Sequence, residues 1–271
     1  MRNLDNGQYF GETLNSRNIN GIILTEKIHS AGEILPEHCH TNAYFCNVLK
    51  GYWIEKFRNK ERECKPRKSI YHPPGETHSD TFEQSGHTFN IEFAPERFKQ
   101  FTDISSTLSS SNEFYYDEIN LISMKIFNEF KTADDFSSMA IEGLTLELVA
   151  NSARKFSNIH NRINPDWLTK VKEILRDRYL DKLSLKEISD EIDIHPVHIS
   201  RSFRKMAGCT LSEFQRKIRI EKACIDLQKE DVSITNVALK YSFYDQSHFS
   251  RLFKNTLGLT PLQYRKYFSK S

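Results

Sequence analysis

No run of eighteen consecutive apolar residues occurs in this 271-residue chain, so no membrane-spanning helix is expected. The opening stretch MRNLDNGQYFGETLNSRN is polar and lacks the apolar segment of a secretory leader, which predicts a cytoplasmic protein. Cys-x-x-Cys pairs are absent too. The five cysteines, Cys39, Cys46, Cys64, Cys209 and Cys224, are odd in number and widely scattered. That pattern excludes a disulfide framework and a cysteine zinc site, and predicts small buried or half-buried thiols. A large excess of one charge is also missing, since the formal net charge is +2. What charge there is, however, is unevenly divided. Residues 166–271 hold 20 Lys and Arg against 14 Asp and Glu, a balance of +6, which leaves 18 against 22, or −4, for residues 1–165. A basic C-terminal part beside an acidic N-terminal part points to a polyanionic partner for one half only. The length and the 38% hydrophobic content suffice for two domains, each with its own core.

Residues 20–95 read as short strands: GIILTEKIH, YFCNVLKGYWIEKF and HTFNIEF are separated by turn clusters such as NKERECKPRK and HPPGETHS. Closely spaced short strands predict an antiparallel sandwich or barrel over residues 1–110. From 111 to 157 the period changes. EINLISMKIFNEF and SSMAIEGLTLELVANSARKF place apolar residues three and four apart, as amphipathic helices do. Leu121, Met124, Ile126, Phe127, Leu144, Leu146, Leu148 and Val149 on these helices suit a cover for one face of the barrel. Residues 158–164 are polar and unpatterned and form the expected linker. Beyond it, 165–271 reads as all helical. Asn164-Pro165 suits an N-cap and first helical position, Ser184…Glu187 and Thr210…Glu213 have capping-box spacing, and Gly208 and Gly258 sit at left-handed helix ends. Seven helices are predicted, near 165–180, 184–192, 196–207, 211–229, 234–241, 246–257 and 261–268.

The phrase HISRSF at 198–203 returns as HFSRLF at 248–253. At this offset of fifty, His198/His248, Ser200/Ser250, Arg201/Arg251, Phe203/Phe253, Gly208/Gly258 and Thr210/Thr260 are identical. Each copy is a short helix, a tight turn and a second helix, which is the helix-turn-helix plan occurring twice. At about 100° per residue, Ile199 and Phe203 take the core of one second helix while Val197, Arg201 and Arg204 face away. In the other, Phe249 and Phe253 take the core and Ser247, Arg251 and Lys254 face away. Arg201 and Arg251 then head equivalent exposed faces, where a guanidinium fork can reach guanine O6 and N7. The N-terminal ends of both helices are candidate phosphate sites as well. The long helix between the copies is a rod that can hold two recognition helices one turn of B-DNA apart.

On these residues, and above all on SRSFRKMAG…T and SFYDQSHFSRLFKNTLGLTPLQYRK, the segment from Trp167 to Phe268 resembles the DNA-binding domain of the AraC/XylS family of bacterial transcription regulators. The resemblance implies two recognition helices in adjacent major grooves of double-stranded DNA. By position it assigns Val197, Ser200, Arg201, Gln246, Ser247, Ser250 and Arg251 to bases, and Arg204, Lys205 and Lys254 to phosphates. Two positions depart from the family pattern: Ser242 stands where glycine is usual, and Leu211 where proline commonly follows the threonine.

In the N-terminal half, Gly32, His38, His40 and Gly51 match the spacing of the first cupin motif, and Pro73, Gly75 and His78 the second. His38 and His40 are two apart, so one strand face carries both. With His78 they form a trio of imidazoles suited to zinc or another divalent transition metal. Tyr44 stands where metal-binding cupins have glutamate, and Phe82 where the second motif ends in asparagine. The expectation is therefore a metal-free effector pocket or plain barrel scaffolding, with His38, His40, Tyr44, Trp53 and His78 lining such a pocket and Phe45 and Tyr71 flanking it. A divalent metal at His38, His40 and His78 is the alternative. His72 and His87 are expected at the surface.

The predicted fold class is α+β: a cupin-like antiparallel β-barrel with two following helices, then an all-α domain of seven helices with two helix-turn-helix units. The resemblance implies a sequence-specific transcription regulator, an activator as is commoner in that family, whose barrel senses a small-molecule effector. The resemblance implies a homodimer joined through the helices after the barrel, which gives their eight apolar side chains a dimer surface as the alternative to a cover. For an activator it also implies RNA polymerase as a partner. The alternatives are a cupin metalloenzyme with a DNA-binding tail and a low-specificity architectural DNA binder. No convergent acid/base set supports the enzyme, and the modest +6 counts against the architectural binder.

Overall fold

The computed structural model describes residues 2–102, 111–115, 118–160, 165–229 and 231–268. Contacts divide the chain into two units, residues up to His160 and residues from Asn161 on. The first unit holds β1 (Arg2–Leu4), β2 (Glu12–Ile19), β3 (Ile22–His29), β4 (Ile34–His40), β5 (Tyr44–Lys50), β6 (Trp53–Phe57), β7 (Lys60–Cys64), β8 (Lys68–His72), β9 (His78–Phe82) and β10 (Gly86–Phe93). After these come α1 (Pro95–Thr102), β11 (Asn112–Tyr115), α2 (Glu118–Thr132) and α3 (Ser137–His160). One sheet has the order β1-β4-β9-β6-β7 and the other β11-β8-β5-β10-β3-β2. Apart from the parallel pair β1–β4, the paired strands are antiparallel.

The two-residue period of a strand decides what faces what. On β5, Tyr44 and Cys46 face the space between the sheets. Phe45 faces the other way and meets Tyr71, Phe93 and Phe114. On β10, Thr88 and Asn90 face inward, while Phe89 packs on Phe127 and Phe130 of α2. The six-stranded sheet is thus covered on both faces, which is why all eight residues of β10 and all five of β8 are buried. Ile126, Phe127 and Leu148 are fully buried in that cover and Val149 nearly so, which assigns them to covering the sheet. Leu146 alone among the eight helix residues considered above is a large exposed apolar side chain, 52% accessible. Glu26 ties the layers together, accepting from Lys131 of α2 at 2.9 Å and pairing with His87 at 2.9 Å.

Several expectations change here. Strands β1 and β2 precede residue 20, and β7 lies inside the charged stretch read as a turn. Charge hides β7 because its Arg62 points inward and pairs with Glu55. β11 joins the sheet beyond residue 110 by pairing with β8. His72 and His87 are buried, not exposed. Phe45 and Tyr71 face the helices instead of a pocket, Tyr71 meeting Phe156 of α3. Helix α3 runs through His160 and takes in the first residues of the expected linker; residues 161–164 lie outside the described residues.

Among its described residues the second unit holds α4 (Asp166–Asp177), α5 (Leu185–Ile192), α6 (Pro196–Ala207), α7 (Leu211–Leu227), α8 (Ile234–Lys240), α9 (Gln246–Leu257) and α10 (Pro261–Phe268). The seven helices match those predicted to within three residues at each end, because the caps are written in the sequence. Ser184 with Glu187, and Thr210 with Glu213, form complete capping boxes. Leu211 therefore serves at the first position of α7 without the usual proline. Gly208 and Gly258 take the left-handed conformation at φ 71° and 74°. At the first helix, Pro165 is itself the extended N-cap, and Asn164 lies outside the described residues. Two cores result. Leu168, Val171, Ile188, Ile199, Phe203 and Ile218 form the first. In the second, Phe243, Phe249, Phe253 and Tyr264 make a chain of ring contacts at 5.0–5.5 Å.

Candidate nucleic-acid interface and barrel cavity

Helices α6 and α9 occupy equivalent places in the two helix-turn-helix units. Burial of Ile199 and Phe203 in one, and of Phe249 and Phe253 in the other, fixes their rotation. Ser200, Arg201, Arg204 and Lys205 are consequently exposed on α6, as are Gln246, Ser247, Arg251 and Lys254 on α9. Val197 is 49% accessible, an apolar side chain held out to solvent. Ser250 is half-buried. Gln246 is partly engaged, since its Oε1 accepts from the Thr235 hydroxyl at 2.6 Å, which leaves its NH2 to donate. Tyr244, one turn residue before the N-cap of α9, is 88% accessible and escaped the sequence reading. Its signal was an aromatic in a turn, where no core position calls for one.

Side chains cap both helix ends. Asp245 caps α9, its Oδ1 accepting from the His248 N–H at 2.7 Å. A carboxylate there satisfies the donor and repels a phosphate. At α6 the His195 Nδ1 accepts from the Val197 N–H at 3.3 Å, so an imidazole occupies the corresponding place.

The units share α7, and Arg219 on it binds both. Its guanidinium donates to the carbonyls of Tyr179 (2.6 Å), Leu180 (3.3 Å) and Asp181 (3.1 Å) beyond α4, and to that of Ser242 (3.4 Å) in the second turn. Ser242 adopts φ 57°, the left-handed conformation that a glycine would take there. Gln215, one turn earlier on α7, donates to the Arg178 and Asp181 carbonyls at 2.9 and 3.0 Å. Arg219→Ala is expected to leave each unit's base preference intact while loosening the register between them. Operators selected from random duplexes should then tolerate one inserted base pair between half-sites at near-equal affinity, where the unaltered protein should lose at least about tenfold, the worth of one mismatched base pair. Equal spacing tolerance in both proteins would remove Arg219 from this role.

In the barrel, the five predicted pocket residues come together. His38 and His40 from β4, Tyr44 from β5, Trp53 from β6 and His78 from β9 are all buried and line one cavity, joined by His72 and Glu55. The cavity measures about 50 Å³, room for an ion and a water or two and too small for a sugar or an aromatic metabolite. A larger open cleft of about 780 Å³ lies outside, between the β6–β7 hairpin and residues 73–77. The His38 Nδ1 lies 2.8 Å from the Pro36 carbonyl and the His78 Nδ1 3.2 Å from that of Glu76. A carbonyl only accepts, so both Nδ1 atoms carry the proton and both Nε2 atoms present lone pairs. Burial, with His78 next, pushes His38 down to about 4; burial, His78 and His38 push His40 to about 2. Burial also drives His72 well below its ordinary range. These imidazoles are neutral near pH 7, the form in which a metal takes them. Asp80 is pushed well above the carboxylate range by burial and then by Glu55; it accepts from the Trp53 indole N–H at 3.1 Å. For Glu55, burial acts upward, but the guanidinium of Arg62, with which it pairs, works against burial and the carboxyl lies below its ordinary value.

The ligand atoms of His38, His40 and His78 lie within 4.8 Å of one another, as do those of Glu55, His72 and His78. Tetrahedral zinc at about 2.0–2.1 Å from each nitrogen needs them about 3.4 Å apart. The donor set therefore fits a divalent transition metal once the rings close in by about an ångström. The carboxylate that Tyr44 displaces from its usual place is present on β6 as Glu55, although Arg62 holds it.

Comparison with known proteins gives this geometry a context. Residues 22–149 match the AraC-like ligand binding domain and residues 188–267 a helix-turn-helix domain. The HTH-type transcriptional activator AarP of Providencia stuartii is 31% identical over 110 residues, covering 41% of this chain and 82% of AarP. The probable transcription factor PqrA of Proteus vulgaris is 42% identical over 69 residues, 26% of this chain and little more than half, 57%, of PqrA. Among solved structures, ToxT from Vibrio cholerae is similar over 93% of this chain and 100% of its own, at 12% identity and a TM-score of 0.40. The two domain matches, with the likeness to AarP over most of that protein's length, show that this chain belongs to the AraC/XylS family and is a regulator of transcription, not an enzyme.

Proposed function

We propose that the protein reads two neighbouring segments of a promoter in successive major grooves, one with α6 and one with α9, and that a ligand held in the barrel cavity alters this reading. The observation that carries the proposal is the repeated exposure of Arg201 and Arg251, each set opposite a buried core pair of its own helix. A guanidinium that makes no ion pair among the described residues on such a face suits bidentate contact to guanine. Ligand action is a shift between populations of the full-length protein that differ in affinity for the promoter. The protein works in the cytoplasm as an activator that touches RNA polymerase, a reading supported by the likeness to an activator.

Homodimerisation belongs to the exposed face of α3. Met139, 76% accessible, Gly143 and Leu146 recur at intervals of four and three and so share one stripe. Leu146→Asp is expected to weaken self-association at least tenfold by sedimentation, with secondary structure unchanged.

Selection of random duplexes with the full-length protein tests the function. Two short motifs about one helical turn apart are expected. A folded protein that enriches no motif would instead be an architectural binder, held by phosphates alone.

A further inference from the structure

We infer that the barrel cavity takes one divalent transition-metal ion on the Nε2 atoms of His38, His40 and His78, and that Tyr44 is the gate it must displace. This rests on the reading of the barrel as the ligand-sensing half, and it replaces the metal-free pocket expected from Tyr44. Three geometric facts carry it. First, two of the three imidazoles donate their Nδ1 protons to backbone carbonyls, at 2.8 and 3.2 Å. Such outer hydrogen bonds orient metal-binding histidines and set their tautomer. Second, the rings crowd one another in a chamber of about 50 Å³, with centroids 4.2 Å apart for His38 and His78 and 5.7 Å for His40 and His78. An organic effector has no room there; an ion has. Third, the Tyr44 hydroxyl lies 3.2 Å from the His78 Nε2. Because His78 gives its Nδ1 proton to Glu76, this Nε2 can only accept, so the phenol donates to the lone pair that a metal needs.

Tyr44 and the ion therefore compete for one lone pair. The competition has a physical outlet, because the Tyr44 ring stacks on His72 at 4.5 Å and 7°. His72 in turn faces Glu55 (3.8 Å) and Glu76 (3.6 Å), and Glu76 pairs with Arg58 at 3.2 Å in the outer cleft. Glu55 supplies a neighbouring negative charge.

The test uses the full-length protein, stripped with a chelator and titrated with Co²⁺, with Zn²⁺ as competitor. One equivalent is expected, with the intense visible bands of four-coordinate cobalt. His38→Ala and His40→Ala should abolish those bands. Tyr44→Phe, which keeps the ring stack and removes only the hydroxyl, should tighten binding several-fold, the worth of one hydrogen bond. Because alanine at a buried site can unfold the barrel, His78→Gln, checked by circular dichroism, serves as a second ligand variant. A folded, unaltered protein that binds no cobalt overturns the metal site, and weaker binding by Tyr44→Phe overturns the gate. Duplex selection on the same samples separates the two readings. Selective DNA binding without metal binding removes the metal alone, whereas metal binding without selectivity removes the regulator reading.

Discussion

Arg251→Ala is expected to cost roughly tenfold to a hundredfold in affinity for the selected operator, about 1–3 kcal/mol, with the loss confined to one half-site. The side chain is exposed on α9, and burial of Phe249 and Phe253 prevents the helix from rotating it away. Alanine removes a planar pair of donors, so the bases it read become interchangeable. Affinity measured against duplexes substituted one position at a time should flatten at one or two positions of that half-site. Arg201→Ala should flatten the other half-site, because α6 presents it in the same phase. Lys254→Ala provides the contrast: a lysine facing phosphate lowers affinity for all duplexes alike and reduces the salt slope by about one. Uniform losses from the arginine changes would assign them to the backbone instead.

Phe253→Ala should destabilise the second helix-turn-helix unit by about 3–5 kcal/mol, the range for deleting a fully buried phenyl ring. Phe253 has no accessible surface, and its ring lies 5.3 Å from that of Phe249 and 5.5 Å from that of Tyr264. A domain of ordinary stability holds about 5–15 kcal/mol in reserve, so the change removes about a fifth of it or more. Urea denaturation followed by circular dichroism should show a lower midpoint for the helical transition. Arg251→Ala, two residues away but exposed, should leave that midpoint within about 0.5 kcal/mol. This pair separates reading from folding on a single helix. A loss below 1 kcal/mol from Phe253→Ala would mean that the aromatic chain is not the core of the unit.

The helical half was legible because its signals are local. A serine or threonine three residues before a glutamate, a glycine at a left-handed end and a repeat in phase each specify geometry within a turn or two. The barrel was legible only in part. Parity placed His38 with His40, and the spacing of the cupin motifs added Tyr44 and His78 to the residues that line the cavity. Yet parity cannot say which face of a strand meets the cavity when both faces are buried, as on β8 and β10. That is why Phe45 and Tyr71 were set on the wrong side and His72 was sent to the surface. Charge misled as well: Arg62 and Glu55 are ordinary surface types whose burial depends on each other across a hairpin. Tyr244 could not be found by periodicity, because it belongs to no helix face.

Helix α7 carries seventeen residues without glycine or proline, and Arg219 clamps it to both of its neighbours. Each residue of a helix advances the chain by about 1.5 Å and turns it by about 100°. Inserting or deleting one residue in α7 would therefore swing one reader out of its groove while leaving every base-facing side chain unchanged. Point substitutions on α6 and α9 carry no such penalty. Descendants of a duplicated gene can thus acquire new operator sequences freely by exchanging side chains, but they inherit the spacing between half-sites as a fixed length.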